Sequence, residues 1–281
     1  AFLGHVEPQW TIACSIPIII ILSGKCFEDK SLLRFTSRYI FPTIGLILVI
    51  RILLMTDLRF VKNMAFSGKE VKYKAIETEA KDLPVIFSGA FQRPSLYTFY
   101  TGRESTVISS LYSRQTQFDI WQLEKKYHNK PAFICMNHKP NSKIYVSDTL
   151  QFGGFMTDSL QTVNRMKIKF SLPGDTFYPG DRVNLAFSLY NPYIHDIDFG
   201  HSQFPVELCI VFLKGEEVHV HQGFPVKPLH IVRAEATVEG EISALIPELP
   251  AGNYHFGLSL NNLFGPSLNS RFIKIKIGRN D

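Results

Sequence analysis

Three sets of residues in this chain have the types and spacing that chemistry requires. The first is His5 and Glu7, with Trp10 beside them, at the head of an apolar run. A carboxylate at the mouth of a membrane segment is suited to hold a sugar hydroxyl or a divalent cation, and an imidazole to contact a phosphate. Interfacial anchoring accounts for the same residues equally well, since Trp belts lie at headgroup depth and a Glu there is readily solvated. The second set is Arg93, Tyr97, Tyr100, Arg103, Arg114, Gln117 and Asp119. Rings that stack on sugars and charged groups that bond hydroxyls would make it a glycan contact. Packing and pairing inside a small α/β domain is the plainer account of it. The third is His219 and His221, which share one strand face by their two-residue spacing. They lack a third ligand at a recognisable spacing, so no metal site is assigned, and a solvated polar strand face is the plainer expectation.

The elements that must position these groups divide the chain sharply. Over 281 residues the apolar fraction is 45% and the mean hydropathy +0.03, averages that conceal an apolar front and a polar remainder. Pro8 to Gly24 carries no charge and is about the minimum length for a membrane span. Pro17 within it is tolerable in a packed membrane bundle. Tyr39 to Leu58 is a second candidate span, interrupted by Arg51, whose long side chain can snorkel toward an interface. The segment between them, 25–38, holds Lys25, Lys30, Arg34 and Arg38 and is expected to be a short cytoplasmic loop. Everything beyond about Arg59 then lies on the extracytoplasmic side, together with the His5–Trp10 end of the first span. Arg59 and Lys62 act against this orientation, with fewer charges than the loop. The start, Ala1-Phe-Leu-Gly-His5, lacks the basic region of a signal peptide and reads as a cut within a longer protein.

Past the membrane region the pattern changes twice. From 59 to 165 short apolar runs alternate with helical ones. Leu83–Gly89, Ser105–Leu111 and Pro131–Met136 read as strands, and Pro94–Tyr100 and Gln117–Tyr127 as helices. Gly102 is a helix stop, and Ile120, Leu123 and Tyr127 form a helical stripe. This is the texture of a small α/β domain. From 166 to 281 the period becomes two. Val183, Leu185, Phe187 and Leu189 share a face, and so do Val206, Leu208, Ile210 and Phe212. The same holds for Ile242, Ala244 and Ile246, for Tyr254, Phe256, Leu258 and Leu260, and for Ile273, Ile275 and Ile277. Turn signals at Tyr178–Asp181, Asn191-Pro192, Lys214-Gly215 and Pro250–Asn253 separate them, which predicts an antiparallel, immunoglobulin-like β-sandwich.

Composition and motifs exclude several classes. The net charge of +5 comes without a Lys/Arg run, so nucleic acid is not an expected partner. Neither GxGxxG nor GxxxxGK[ST] is present, which leaves a nucleotide site unsupported. Cys14, Cys26, Cys135 and Cys209 form no CxxC pair, and the last two sit in apolar strands as buried free thiols.

The order of apolar span, basic loop, apolar span and outer α/β domain resembles the C-terminal end of bacterial GT-C membrane glycosyltransferases. These are the enzymes related to protein O-mannosyltransferases and to the lipid A aminoarabinose transferase. Gly4-His-Val-Glu-Pro-Gln-Trp-Thr11 resembles the E-P-x-W stretch that opens a late span in such proteins. Ser95-Leu-Tyr-Thr-Phe-Tyr-Thr-Gly102 and Gln117-Phe-Asp-Ile-Trp121 look like segments of their soluble domain. The resemblance covers roughly residues 1–135 and does not extend to the β-sandwich. It implies transfer of a sugar from a polyprenyl-phosphate donor to a lipid, glycan or protein acceptor outside the cytoplasm, by a multi-pass protein of the inner membrane in contact with its lipids. No position here matches the family's catalytic carboxylate, which lies in its first outer loop. His5, Glu7 and Trp10 become substrate-site candidates, and Arg93, Tyr97, Tyr100, Arg114 and Asp119 glycan-contact candidates. No cofactor is assigned, although a divalent cation would fit Glu7. A membrane-anchored scaffold that binds a glycan or a protein without catalysis explains the same layout. A sensor lacks an output module after the last span.

Overall fold

Short apolar runs that alternate with helices bury strands on both faces, and the computed structural model shows how each face is covered. It describes residues 19–21, 23–25, 27–55, 69–113, 115–136, 144–147, 150–215 and 217–279. These divide into two units, one ending at Lys69 and the other running from Glu70 to the C-terminus. The expected membrane boundary stood earlier, at 58.

The first unit is helical. Residues 19–21, 23–25 and 27–28 are in helix, and α1 runs from Lys30 to Met55. Asp29 starts α1: its carboxylate accepts the Ser31 amide at 2.8 Å and the Ser31 hydroxyl at 2.7 Å, satisfying donors a helix N-terminus leaves open. Here the sequence expectation needs correcting. Lys30, Arg34 and Arg38 were expected in a connecting loop, yet they lie on the helix as one stripe at four-residue spacing. Lys, Arg and Leu are all good helix formers, and Asp29 supplies the break several residues before the basic stretch ends. The window Lys30–Ile50 has mean hydropathy 1.4 and none of it is buried; it is the one helix among the described residues long and apolar enough to cross a membrane. Most of the first expected span lies outside the described residues.

The second unit opens with α2 (Lys69–Ala80), β1 (Val85–Ser88), α3 (Gln92–Thr101), β2 (Ser105–Ile108), α4 (Gln117–Trp121), a 3-10 turn (Leu123–Lys126) and β3 (Ala132–Met136). The hairpin β4 (Ile144–Ser147) and β5 (Leu150–Thr157) follows. Together they form a five-stranded sheet in the order β2-β1-β3-β5-β4, parallel at β2-β1-β3 and antiparallel beyond. Gly102 ends α3 in the left-handed conformation (φ 73°), its amide bonding the Thr98 carbonyl at 2.9 Å. The helix expected over Gln117–Tyr127 is broken: Gln122 is left-handed (φ 57°), and Ile120 and Trp121 are exposed instead of sharing a buried stripe. The side chains that turn inward there are Glu124 and Tyr127.

One face of this sheet packs under α2 and α3, where Tyr73, Ile76, Phe87, Tyr97, Phe133 and Cys135 form a core. The other face carries Ile86, Ile108 and Ile134, and it is closed by Tyr127, Leu160, Phe204 and Phe264. Three of those covering residues come from beyond β5. The α/β sheet therefore borrows the lid of its second face from the β-rich part, and the two form one unit. Within the sheet, Gly154 of β5 makes room for the Phe133 ring of neighbouring β3 on the helix-covered face: a Cβ there would stand 2.6 Å from it.

The β-rich part contains β6 (Lys167–Phe170), β7 (Thr176–Phe177), β8 (Arg182–Tyr190), β9 (Ile197–Asp198), β10 (Glu207–Lys214) and β11 (Glu217–Gln222). It continues with β12 (Phe224–Pro225), β13 (Ile231–Val232), β14 (Thr237–Leu245), β15 (Gly252–Asn262), β16 (Gly265–Pro266) and β17 (Ile273–Ile277). One sheet has the order β11-β10-β15-β17-β7 and another β12-β14-β8-β6. Their inward residues, among them Leu185, Phe187, Ile210, Phe212, Ile242, Phe256 and Ile275, belong to a single core. The alternating residues named from the sequence are those that face it, with Ile273 half-buried at its margin. Tyr178-Pro-Gly-Asp181 is a turn as expected: Gly180 takes φ 88°, and the Tyr178 amide bonds the Asp181 carboxylate at 2.8 Å.

Phe204 is fully buried and stacks on Phe264 at 5.9 Å. Phe204→Ala is expected to cost about 3–5 kcal/mol. Because the ring belongs to both parts, denaturant unfolding should shift as one transition; two separated transitions would show that the α/β sheet and the β-rich part fold independently.

Candidate functional site

The aromatic and charged set expected to touch a glycan is divided by the fold. Tyr97 lies inside the core beneath α3, T-shaped against Tyr73, and its hydroxyl has no hydrogen-bond partner among the described residues. Burial pushes its phenol up to about 12. Tyr100 stacks on Tyr73 at 5.9 Å. Arg103 is paired with Glu77 at 2.7 Å and donates to the Lys81 carbonyl. Asp119 is committed to a capping box, where its carboxylate accepts the Thr116 amide at 2.7 Å, the Thr116 hydroxyl at 2.9 Å and the Ser109 hydroxyl at 3.0 Å. These residues do the work of packing and capping. Arg93 differs: it stands in the first turn of α3, just past the carboxyl end of β1.

That carboxyl end is where an open α/β sheet ordinarily takes a ligand. The strand order β2-β1-β3-β5-β4 puts β2 on one side of β1 and the β4–β5 hairpin beyond β3 on the other, so the carboxyl ends of β1 and β3 form a topological switch point. Arg93 borders it. His5, Glu7, Trp10 and Arg114 lie outside the described residues.

Of the clefts lined by described residues, two bear on the candidate site. The first, of about 220 Å³, is polar and is lined by Ser109, Gln115, Asp119, Glu124, Arg165 and Asn269, among others. At its base Glu124 is buried and bonds the Arg165 guanidinium at 2.7 Å; the same guanidinium donates to the Asp119 carbonyl. A buried carboxylate is tolerable only with such a partner. Asn164 donates to the Ser109 carbonyl at 2.7 Å, and Asn269 to the Val163 and Met166 carbonyls at 2.8 and 3.0 Å. The network fastens the segment after β5 to the turn after β2. Glu124 was missed from sequence, though a signal existed: it stands four residues after Ile120, inside the apolar stripe itself.

The second cleft, about 730 Å³, is a trough on the outer face of the four-stranded sheet. Its floor is Ala186, Ser188 and Gly240, and its walls include Lys169, Lys227, Glu239 and Glu241. A Cβ on Gly240 would stand 2.8 Å from the ring of the core residue Phe187, so glycine is required there by packing on the inner face.

The histidines are placed differently from expectation. His219 and His221 do share one face of β11, but that face is half-buried rather than solvated: His221 meets Phe212 at 6.1 Å and His219 meets Tyr254 at 6.4 Å. Among the described residues no three His, Cys, Asp or Glu side chains group as a metal site. His128, which sequence reasoning passed over, stacks on Tyr193 at 4.5 Å and on His195 at 5.7 Å, and its Nδ1 accepts the Thr162 amide. Cys135 and Cys209 are free and buried, and burial pushes both thiols up to about 12. They are inert packing groups.

No protein-family model matches the chain, and neither does any curated protein. Among solved structures, 42% of the chain is similar to the Pseudomonas fluorescens alkylpurine DNA glycosylase AlkC bound to DNA containing an abasic site analog, at 13% identity and a TM-score of 0.29 over 31% of that protein. It is also similar over 42% of its length to Spo0M, a sporulation control protein from Bacillus subtilis, at 14% identity and a TM-score of 0.26 over 51% of that protein. The chain thus spans about a third of the first and about half of the second. Overlaps this loose assign neither fold nor function.

Desolvation, helped by His195, lowers the His128 imidazole from 6.5 to about 4. Between those values the unfolded chain binds a proton that the native chain refuses. Stability is therefore fully present above about pH 6.5 and falls as pH drops toward 4, by on the order of 3 kcal/mol. Melting temperatures taken from pH 7.5 to pH 5 should fall for the natural chain and fall less for His128→Phe. Equal slopes would show that His128 does not carry this dependence.

Proposed function

We propose that the chain is the C-terminal portion of an integral membrane glycosyltransferase, of GT-C type, that moves a sugar from a polyprenyl-phosphate donor to an acceptor outside the cytoplasm. The observation that carries this reading is α1. A helix whose window Lys30–Ile50 buries nothing exposes a continuous apolar surface that water would penalise and lipid would accept. The Gly4–Thr11 stretch, with its likeness to the E-P-x-W segment of those enzymes, supplies the choice of reaction. In this reading the protein is a multi-pass component of the cytoplasmic membrane with residues 70–281 on the outer side, and the two-sheet part is an immunoglobulin-like sandwich. Two sheets closed over one core support that fold.

His5, Glu7 and Trp10 then hold the donor or the acceptor at the outer mouth of the first span, with Glu7 suited to a sugar hydroxyl or a divalent cation. Arg93, in the first turn of α3 just past β1, is the described glycan-contact candidate least committed to packing. Asp119 and Glu124 are engaged as a cap and an ion-pair partner, so neither serves as the base. That engagement favours one second reading, a membrane-anchored scaffold in which the trough floored by Ala186, Ser188 and Gly240 binds a glycan without catalysis.

Glu7→Gln in the complete protein is expected to lower sugar transfer by roughly tenfold or more, a loss of positioning. Asp119→Asn should cost about 1 kcal/mol of stability as a weakened cap and leave the transfer rate of the folded protein unchanged. Unchanged kinetics for Glu7→Gln would remove that residue from the site. In sealed right-side-out vesicles, external protease should cut within residues 70–281; complete protection would reverse the orientation.

A further inference from the structure

A short helix can pack through one side chain and leave others in water, and here Phe118 packs partly buried against the core under α2 and α3. The helix α4 (Gln117–Trp121) carries Ile120 and Trp121, exposed by 68% and 63%. It is not loose: the Thr116–Asp119 capping box, the Ser109 hydroxyl on Asp119 and the Arg165 guanidinium on the Asp119 carbonyl fix it. Leu268, 47% exposed, lines the same polar cleft as Asp119. Tyr112, 63% exposed, follows Ser110 of that cleft and lies against Gly265, 3.7 Å from where a Cβ would stand. Leu268 thus lines the polar cleft, and Tyr112, Ile120 and Trp121 each stand within two residues of a side chain that lines it. Lys167 lines the cleft too and has no ion pair among the described residues.

We infer that this set of side chains is a membrane-surface contact, in which Tyr112, Ile120, Trp121 and Leu268 enter the headgroup layer and Lys167 meets an anionic lipid phosphate. The inference rests on the membrane reading of α1. An indole, a phenol and aliphatic side chains beside a Lys are the chemistry of a bilayer interface, where the rings sit at headgroup depth and the ammonium meets lipid phosphate. The covalent tether argues for lipid over a free partner: α1 ends at Met55 and α2 begins at Lys69, and the intervening residues reach at most about 50 Å when fully extended. A bilayer that holds α1 is therefore present at high effective concentration for any lipid-compatible patch on the second unit.

The chain has two Trp residues, Trp10 and Trp121, so emission can be assigned. The full chain is reconstituted in vesicles that contain anionic lipid, with or without bromines placed shallowly on the acyl chains. The Trp121 signal is read in Trp10→Phe, and again as the difference between the natural chain and Trp121→Phe, so that one failed variant leaves the other. Brominated lipid is expected to quench Trp121 roughly twofold, and Ile120→Asp to relieve that quenching while Ile120→Leu retains it. Quenching of Trp121 by aqueous iodide and not by brominated lipid overturns the inference, as does shielding from both quenchers, which would indicate a protein partner or a second copy. Alkaline carbonate extraction of the same vesicles separates the two readings. A chain that stays in the membrane with Trp121 in water sinks this contact alone, while a chain released by carbonate sinks the membrane reading with it.

Discussion

Parallel strands must be covered on both faces, and in this protein that requirement organises everything past Lys69. The trio β2-β1-β3 has α2 and α3 over one face only. A sheet left with Ile86, Ile108 and Ile134 in water would forfeit roughly 1.5–3 kcal/mol for each buried side chain. Leu160, Phe204 and Phe264 supply the missing layer, and Tyr127 completes it from the turn before β3. The α/β sheet is thereby tied to the β-rich part through its own core. The polar network around Arg165 and Asn164 sits beside that contact and fixes the register of the two.

Much of this was legible wherever one local rule decided the outcome. Two-residue alternation named the inward positions of β8, β10, β14 and β15, since a strand with one face on a core has no alternative register. Gly102 and Tyr178–Asp181 were readable because their backbone conformations admit few residues. The failures came where a helix cap or a distant partner overrode the local pattern. The basic stretch before Tyr39 carries loop-like charge but is helical, because Asp29 starts the helix several residues earlier. The helix over Gln117–Tyr127 breaks at Gln122, and the break turns Glu124 toward Arg165 from far along the chain. No local pattern announces a partner that distant.

The site residues divide on the same line. Tyr97, Tyr100 and Asp119 have chemistry suited to a glycan, but each is already satisfied or enclosed: two in aromatic packing, one as a cap that accepts three bonds. A side chain in that position contributes rigidity, and rigidity is what a surface needs to hold exposed groups in place. Ile120 and Trp121 are held out by the cap that Asp119 builds. The residue expected to touch substrate instead fixes its neighbours toward solvent.

That exchange of roles bears on where a reaction could take place. Among the described residues past Lys69, Glu124 is engaged by Arg165, His128 by its stack and the Thr162 amide, and Cys135 and Cys209 are kept protonated by burial. A general base needs a free lone pair and a pKa near the working pH, and a neutral His128 enclosed between two rings has its Nδ1 already engaged.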